Sequence, residues 1–242
     1  MHGWLEGLQR QFVLNFINED RWRLLLNGLG VTLRITFFAL LMGLAIGVVV
    51  AIVRSTHDKN IHSMRPGPVR LMLVFFNTVC RIYLTVIRGT PVVLQLLIFY
   101  FVILTSIRSG VVVGTIAFGI NAGAYIAEIF RSGIMSVDGG QFEAGRSLGF
   151  NYIQTMRHII VPQAFKIALP TLANEFIVLL KETAVVGYVA VQDLTKAGDI
   201  IRGRTYSAFM PLIAIALVYL TLVMFFTWLV SKLERRLRSN ER

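Results

Sequence analysis

Residues 35–53 read ITFFALLMGLAIGVVVAIV, an uncharged apolar run bounded by Arg34 and Arg54. A helix needs about 20 apolar residues to cross roughly 30 Å of hydrocarbon, and this run has that length. Four further runs follow: 92–107, extended upstream by 71–87 with Arg81 as an interruption; 111–127; 167–180, continued past Lys181 and Glu182 by 183–191; and 209–230. Lipid offers a bare backbone no hydrogen bonds, and these runs are too long for barrel strands, so they predict helices. The expectation is an all-α integral membrane protein with five transmembrane helices.

Composition agrees. The chain has 242 residues, 55% hydrophobic and 15% charged, with a mean hydropathy of +0.68. Soluble domains carry about 45–50% apolar and about 25% charged residues. A water-soluble globule is thereby excluded, and so is a disordered chain, which needs few aromatics. Cys80 is the only cysteine, so an internal disulfide scaffold is excluded as well. The net charge of +11 comes from 24 Lys and Arg against 13 Asp and Glu. These basic residues cluster at the ends of apolar runs, which argues for cytoplasmic loops and against a nucleic-acid partner.

The same clustering predicts orientation. Arg54, Lys59, Arg65 and Arg70 follow the first run; Arg131, Arg146, Arg157 and Lys166 precede the fourth; Lys232, Arg235, Arg236, Arg238 and Arg242 close the chain. Five crossings put all three groups on one side, which reads as cytoplasmic, with the N-terminus outside and the C-terminus cytoplasmic. Lys196, Arg202 and Arg204 are a mild exception, offset by Asp193 and Asp199. Residues 1–26 lack the apolar core of a cleavable signal. Trp4, Leu8, Phe12 and Phe16, with Leu5 and Val13 beside them, form an amphipathic stripe. It predicts either a segment lying in the membrane interface or a helix docked on its own bundle. The organisation expected is thus an interfacial segment over 1–26, a transmembrane domain over 27–232 and a basic tail over 233–242, with 57–68 a polar linker.

Between the third and fourth runs, residues 140–170 read GQFEAGRSLGFNYIQTMRHIIVPQAFKIALP. A Gly139–Gly140 turn leads into a short helix near 141–148, which Gly149 ends. A second amphipathic segment covers 152–160, and Pro162 and Pro170 punctuate the rise into the fourth run. Two short helices at an angle make a knob that suits a partner's groove; an interfacial helix pair is the other reading.

This loop resembles the EAA coupling loop of ABC importer permeases. Glu143-Ala144-Gly145 opens it, Gly149 stands six residues after the Glu, and Ile159-Ile160-Val161-Pro162 closes it; Gly145 replaces an Ala and Val161 a Leu. Asn27-Gly28, Thr32-Leu33-Arg34, Arg88-Gly89-Thr90-Pro91, residues 123–128 (GAYIAE), Gly140-Gln141 and residues 179–183 (LLKET) are similar to the polar amino-acid uptake branch, the His/Glu/Gln/Arg permease-like family. The resemblance covers most of 27–194. The family's Asp-Thr-Ser after the Lys is Glu182-Thr183-Ala184 here.

The resemblance implies a type I importer permease with a coupling loop near 138–162, in the bacterial cytoplasmic (inner) membrane. It implies a second permease subunit, identical or related, and an extracytoplasmic solute-binding protein. It also implies a pair of cytoplasmic ATP-binding subunits that receive Gln141, Glu143, Ala144, Gly145, Gly149, Ile159 and Pro162. The sequence has no G-x-x-x-x-G-K-[ST] loop. ATP and magnesium are accordingly expected on the partner ATPase, with no cofactor on this chain and no catalytic residue. The histidines show no metal-ligand spacing, so no metal site is expected.

Intramembrane charges need an explanation, since each costs about 2.5–3.5 kcal/mol near the bilayer centre against about 0.3–0.6 kcal/mol returned per leucine. Five stand out: Arg88, Glu128, Glu175, Lys181 and Glu182. Pro91 and Gly89 loosen the helix beside Arg88, and a discontinuous helix exposes backbone groups that bind a zwitterion's ends. Gln95 lies two turns beyond Arg88 on that face. Asn121, Tyr125, Glu128 and Ser132 form a polar stripe on the third run. The expected substrate pathway is therefore Arg88, Thr90, Gln95, Asn121, Tyr125 and Glu128, with Glu128 holding the substrate's positive end. Snorkelling by Arg88, and pairing of Glu128 with Arg131 or Lys181, are the structural alternatives. Lys181 and Glu182 read as a gate or as a charge pair at a subunit interface. Gly43 and Gly47, and Gly119 and Gly123, are each four apart and predict close helix packing. The function expected is ATP-driven import of a polar amino acid, with an ATP-independent secondary transporter or channel as the alternative; the lack of paired halves argues against the latter.

Overall fold

The computed structural model describes residues 2–61 and 64–239, with side chains for 6–61 and 64–237. Trp4 and Leu5 of the N-terminal stripe, and Arg238 and Arg242 of the tail, lie outside the described side chains. The helices are α1 (His2–Phe12), α2 (Trp22–Asn60), α3 (Pro68–Gly89), α4 (Val92–Ile98) and α5 (Gly110–Met135), followed by α6 (Gly140–Ser147), α7 (Tyr152–Thr155), α8 (Val161–Glu182), α9 (Leu194–Thr205) and α10 (Phe209–Ser239). No strand occurs among the described residues. Five helical stretches are long and apolar enough to cross a membrane, as the sequence predicts.

The second crossing is not where the uncharged run puts it. It is Pro68–Gly89, and the run after Pro91 forms only a short helix, Val92–Ile103. Arg81 interrupts the hydropathy but not the helix, because its side chain is exposed. The expected linker over 57–68 is corrected at its start, since residues 57–60 form the last turn of α2.

Helix α5 is the centre of the bundle: 61% of its most apolar stretch is buried, against 11% for α3 and α10. Small residues allow this. A Cβ on Gly47 would lie 2.6 Å from Cγ2 of Ile126, and one on Gly43 would lie 3.0 Å from Cβ of Ala122. On the facing helix, a Cβ on Gly123 would meet Ile46 at 2.9 Å, and one on Gly119 would strike Met42. Lipid tails are as apolar as leucine, so close van der Waals approach of this kind holds membrane helices together. Phe118, Ile126, Ile35, Leu96 and Leu179 fill the core around the seam.

At the end of the bundle that holds the start of α2, the turn before α9 is built into that helix. Asp193 caps α9, its carboxylate accepting from the backbone N–H of Lys196 at 2.9 Å and Thr195 at 3.1 Å. The Asp193 carbonyl packs where a Cβ of Gly28 would stand, 2.6 Å away, and the N–H of Leu194 donates to Oγ1 of buried Thr32 at 3.2 Å. The Asn27–Arg34 motif thus reserves a face of α2 for this turn. Thr183, the Thr of the Glu182-Thr183-Ala184 variant, is fully buried with its hydroxyl 3.3 Å from that of Thr36. The continuation expected over 183–191 is a 3-10 turn over Thr183–Val189 that ends at Ala190 with a φ of 58°. The N-terminal segment docks at the same end through buried Asn15, which accepts from Thr205 Oγ1 at 2.7 Å and donates to Ser207 Oγ at 3.3 Å. Phe12 and Ile17 stay more than half exposed.

At the other end, α6 and α7 form a knob. Gly149 takes a φ of 79°, the left-handed conformation that ends a helix without a Cβ penalty. Phe150 N–H then donates to Gly145 O at 3.0 Å, the six-to-one bond of a Schellman cap. Asn151 and Gln154 form a reciprocal capping box that starts α7. Pro162 does not punctuate the rise: the chain stays helical from Tyr152 to Val189. A π-turn over Met156–Ile160 widens the ladder just before Pro162, giving its ring the room an α-turn would deny. Pro170 likewise lies inside α8. Ile160, Val137, Ile134 and Ala164 anchor the knob to the ends of α5 and α8.

Candidate functional site

Helix α3 stops where the sequence loosens it. Thr90 is extended, with φ −124° and ψ 148°, the conformation that a following proline favours, and α4 begins just after Pro91. The last carbonyls of α3 would be left without partners at this break. Gln95 takes them: its Nε2 donates to Ile87 O at 2.7 Å, to Thr90 Oγ1 at 2.8 Å and to Thr90 O at 3.1 Å. Its Oε1 accepts from Asn121 Nδ2 at 2.9 Å. Gln95 and Asn121 are buried. Thr90, Gln95 and Asn121 therefore meet, as one network that holds the two halves of a broken helix against α5.

The other three expected pathway residues meet elsewhere. Arg88, Tyr125 and Glu128 line a cavity of about 490 Å³ between the end of α3, α5 and α8, together with Arg131, Thr171 and Glu175. Glu128 Oε2 lies 3.1 Å from Arg131 Nη2 and 4.0 Å from Arg88 Nη1. The Arg88 guanidinium sits 5.7 Å from the centre of the Tyr125 ring, within cation–π range. The partners of Glu128 are Arg131 and Arg88, and not Lys181. A second cavity of about 380 Å³ shares Arg88 and Glu128 and adds Arg54 and Arg81. The walls hold both charge signs in an otherwise apolar bundle, so the arrangement can take a small zwitterion by both ends.

Lys181 and Glu182 close α8 and line neither of these cavities. As neighbours in a helix they do not face each other, and none of the described ion pairs includes either. Sequence reasoning missed one residue beside the site, Asp58, which lines neither cavity but whose carboxylate lies 3.6 Å from Arg131 Nη1. Nothing in the sequence singled it out: it is an acid one turn beyond Arg54, inside the stretch read as a polar linker.

In the knob, Glu143, Ala144, Gly149 and Pro162 are exposed, and Gln141 accepts from Gln163 Nε2 at 3.1 Å. Gly145 is buried, because a Cβ there would meet Thr155 at 2.7 Å. The glycine that departs from the Glu-Ala-Ala pattern is thus matched to this chain's Thr155. Ile159 packs inward. The tip carries two apolar side chains the motif did not single out, Leu148 at 71% and Ile153 at 74% exposure.

Comparison with known proteins places this geometry. Residues 69–239 match the family described as binding-protein-dependent transport system inner membrane component. A putative glutamine transport system permease protein, GlnP, of Rickettsia bellii (strain RML369-C) is 36% identical over 216 residues, 88% of this chain and 92% of that protein. The arginine transport system permease protein ArtQ of Bacillus subtilis (strain 168) is 34% identical, over 90% of this chain and 94% of that protein. A crystal structure of an amino acid ABC transporter with histidines superposes with a TM-score of 0.79 at 38% identity, covering 91% of this chain and 98% of that one. The inward-facing MetNI methionine ABC transporter, at 20% identity and a TM-score of 0.75, shares the fold. The chain belongs to the binding-protein-dependent inner membrane component family and is the permease subunit of an amino-acid ABC importer, a transport component and not an enzyme.

Proposed function

We propose that this permease carries a polar amino acid across the bacterial cytoplasmic membrane and that the cavity of Arg88, Tyr125 and Glu128 is where the substrate pauses. One observation carries the reading: both charge signs converge on a cavity of about 490 Å³ inside an apolar bundle. An amino acid's ammonium and carboxylate need that combination, and an apolar solute does not. Glu128 takes the positive end and Arg88 the carboxylate, while Thr90, Gln95 and Asn121 fix the broken helix that shapes the wall. The names of the glutamine and arginine relatives support a polar cargo. Lys181 and Glu182 serve at a gate or at the contact with the second permease.

The knob docks on a cytoplasmic ATP-binding subunit, which holds ATP and magnesium; this chain holds no cofactor. Basic residues gathered at the knob end support a cytoplasmic location for it and an N-terminus outside. There, residues 1–26 lie in the membrane interface and a solute-binding protein delivers the cargo. The second permease subunit is a copy of this chain or a close relative. The exposed polar side chains of Thr78 and Thr85 on α3 support such a neighbour, since polar side chains facing lipid are costly.

The test is a binding titration of candidate amino acids on the complex carrying Glu128→Gln. A substrate that loses affinity identifies the cargo and the site together, and unchanged affinity for every amino acid would overturn the assignment. Uptake that survives ATP depletion while a proton or sodium gradient persists would favour the secondary-transporter alternative.

A further inference from the structure

The last turn of α2 lies outside every motif of the resemblance, yet it touches both the knob and Arg131 of the cavity wall. Lys59 Nζ sits 3.6 Å from the centre of the Phe142 ring in α6, and Phe142 stacks on Tyr152 of α7 with centroids 6.4 Å apart. The neighbouring residue, Asp58, lies 3.4 Å from His57 Nδ1 and begins a chain of charges. Its carboxylate lies 3.6 Å from Arg131 Nη1, Arg131 Nη2 lies 3.1 Å from Glu128 Oε2, and Glu128 Oε2 lies 4.0 Å from Arg88 Nη1. Knob and cavity are thus joined by contiguous contacts through two adjacent residues of one helix.

We infer that Asp58 is a positioning residue for transport: acting through Arg131, it ties the placement of Glu128 and Arg88 to the position of the knob. The inference rests on the transport reading given above. Arg131 has two anionic partners, and the planar guanidinium reaches both at once. When a partner subunit moves the knob, Lys59 moves with Phe142, and Asp58 with Lys59. Arg131 then shifts its hold between Asp58 and Glu128, which frees or recaptures Arg88 at the end of α3. The Asp58 side chain is 28% exposed and does not line the cavity of about 490 Å³, so its effect on substrate is indirect.

The test uses the whole transporter, purified with its ATP-binding subunits and reconstituted in liposomes with its solute-binding protein. ATP hydrolysis is measured with and without the loaded binding protein, alongside uptake and subunit stoichiometry. For Asp58→Asn we expect an intact complex, an unchanged basal hydrolysis rate and a roughly tenfold loss of stimulation by cargo, the scale of coupling between residues in one charge network. Lys59→Gln should lower stimulation in the same direction. Asp58→Asn combined with Arg131→Gln should cost no more than Arg131→Gln alone, because both remove one link. Full stimulation in Asp58→Asn, additive losses in the pair, or loss of stimulation only together with loss of subunits would each overturn the proposal. A wild-type preparation with no ATP-binding subunit would overturn the transport reading instead.

Discussion

Gln95 Nε2 donates to the carbonyl oxygen of Ile87 at 2.7 Å, across the break between α3 and α4. The seven residues between them include Pro91, which prevents the helix from supplying this bond itself. The bond is buried, as is the one from Asn121, and the same amide also reaches the more exposed Thr90. Removing a partner from a buried hydrogen bond costs about 1–3 kcal/mol, because the orphaned group stays desolvated.

Gln95→Leu, close in volume but apolar, leaves the Ile87 carbonyl and the Asn121 amide without this partner. It should therefore destabilise the detergent-solubilised protein by about 1–3 kcal/mol. Gln95→Glu keeps the acceptor for Asn121 and loses the donor, so it should also unfold at a lower temperature. Thermal unfolding followed by tryptophan fluorescence checks both, and a Gln95→Leu protein as stable as the parent would show that the break is held by something else.

The seam between α2 and α5 makes a steric prediction with an internal ranking. A Cβ on Gly47 meets Ile126 at 2.6 Å and the backbone nitrogen of Ala127 at 3.0 Å, whereas a Cβ on Gly43 meets nothing closer than 3.0 Å. Gly47→Ala should then be the more damaging change, costing about 1–3 kcal/mol by overpacking, and Gly43→Ala the milder one. Side-by-side thermal unfolding in one detergent gives the order. Equal effects at the two positions would overturn the ranking, and negligible effects at both would mean that the helices separate to make room.

Much of this architecture is legible in the sequence because lipid makes hydropathy decisive: five crossings, the glycine pairs and the Gly149 break all follow from local pattern. What was not legible depended on direction. Arg81 ends an uncharged run, but its exposure leaves the helix intact, so the second crossing lies upstream of the uncharged run after Pro91. The six residues expected to line one pathway divide into a cavity wall and a structural network, since Gln95 bends back across the break where an unbroken helix would have aimed it along Arg88's face. Asp58 was hidden for the opposite reason: it sits in a polar stretch, and only the length of α2 carries it to Arg131.

The knob separates a backbone requirement from a surface requirement. Gly149 at φ 79° cannot become proline, whose φ is fixed near −65°. Gly149→Pro should thus disorder the α6–α7 angle and abolish uptake and ATPase association together. Leu148→Asp and Ile153→Asp leave the backbone alone and place charge on side chains that are 71% and 74% exposed. They should preserve membrane insertion and stability while reducing co-purification of the ATP-binding subunit. Glu143→Lys at the exposed face of α6 should behave like them. Normal subunit recovery in all of these variants would exclude the knob as the docking element.

Asp193 carries a pH prediction. Burial pushes its carboxyl above the ordinary value of 3.8, against the pull of the backbone N–H groups of Lys196 and Thr195 and the Thr195 side chain. A folded-state value above the unfolded one means that the folded protein binds the proton more tightly. The contribution is therefore favourable below the unfolded value and is lost as pH rises through the folded one. Asp193→Asn keeps an oxygen to accept at the cap but cannot ionise, so it should be flatter with pH. The stability of the parent relative to Asp193→Asn should fall as pH rises from about 4 toward neutrality. Asp193→Ala, which removes the cap, should cost about 1 kcal/mol or more at every pH. Melting temperatures of the three proteins across that range decide the matter: a parent-to-Asn difference that grows with pH would mean that the N–H groups outweigh burial and hold the carboxyl below its ordinary value.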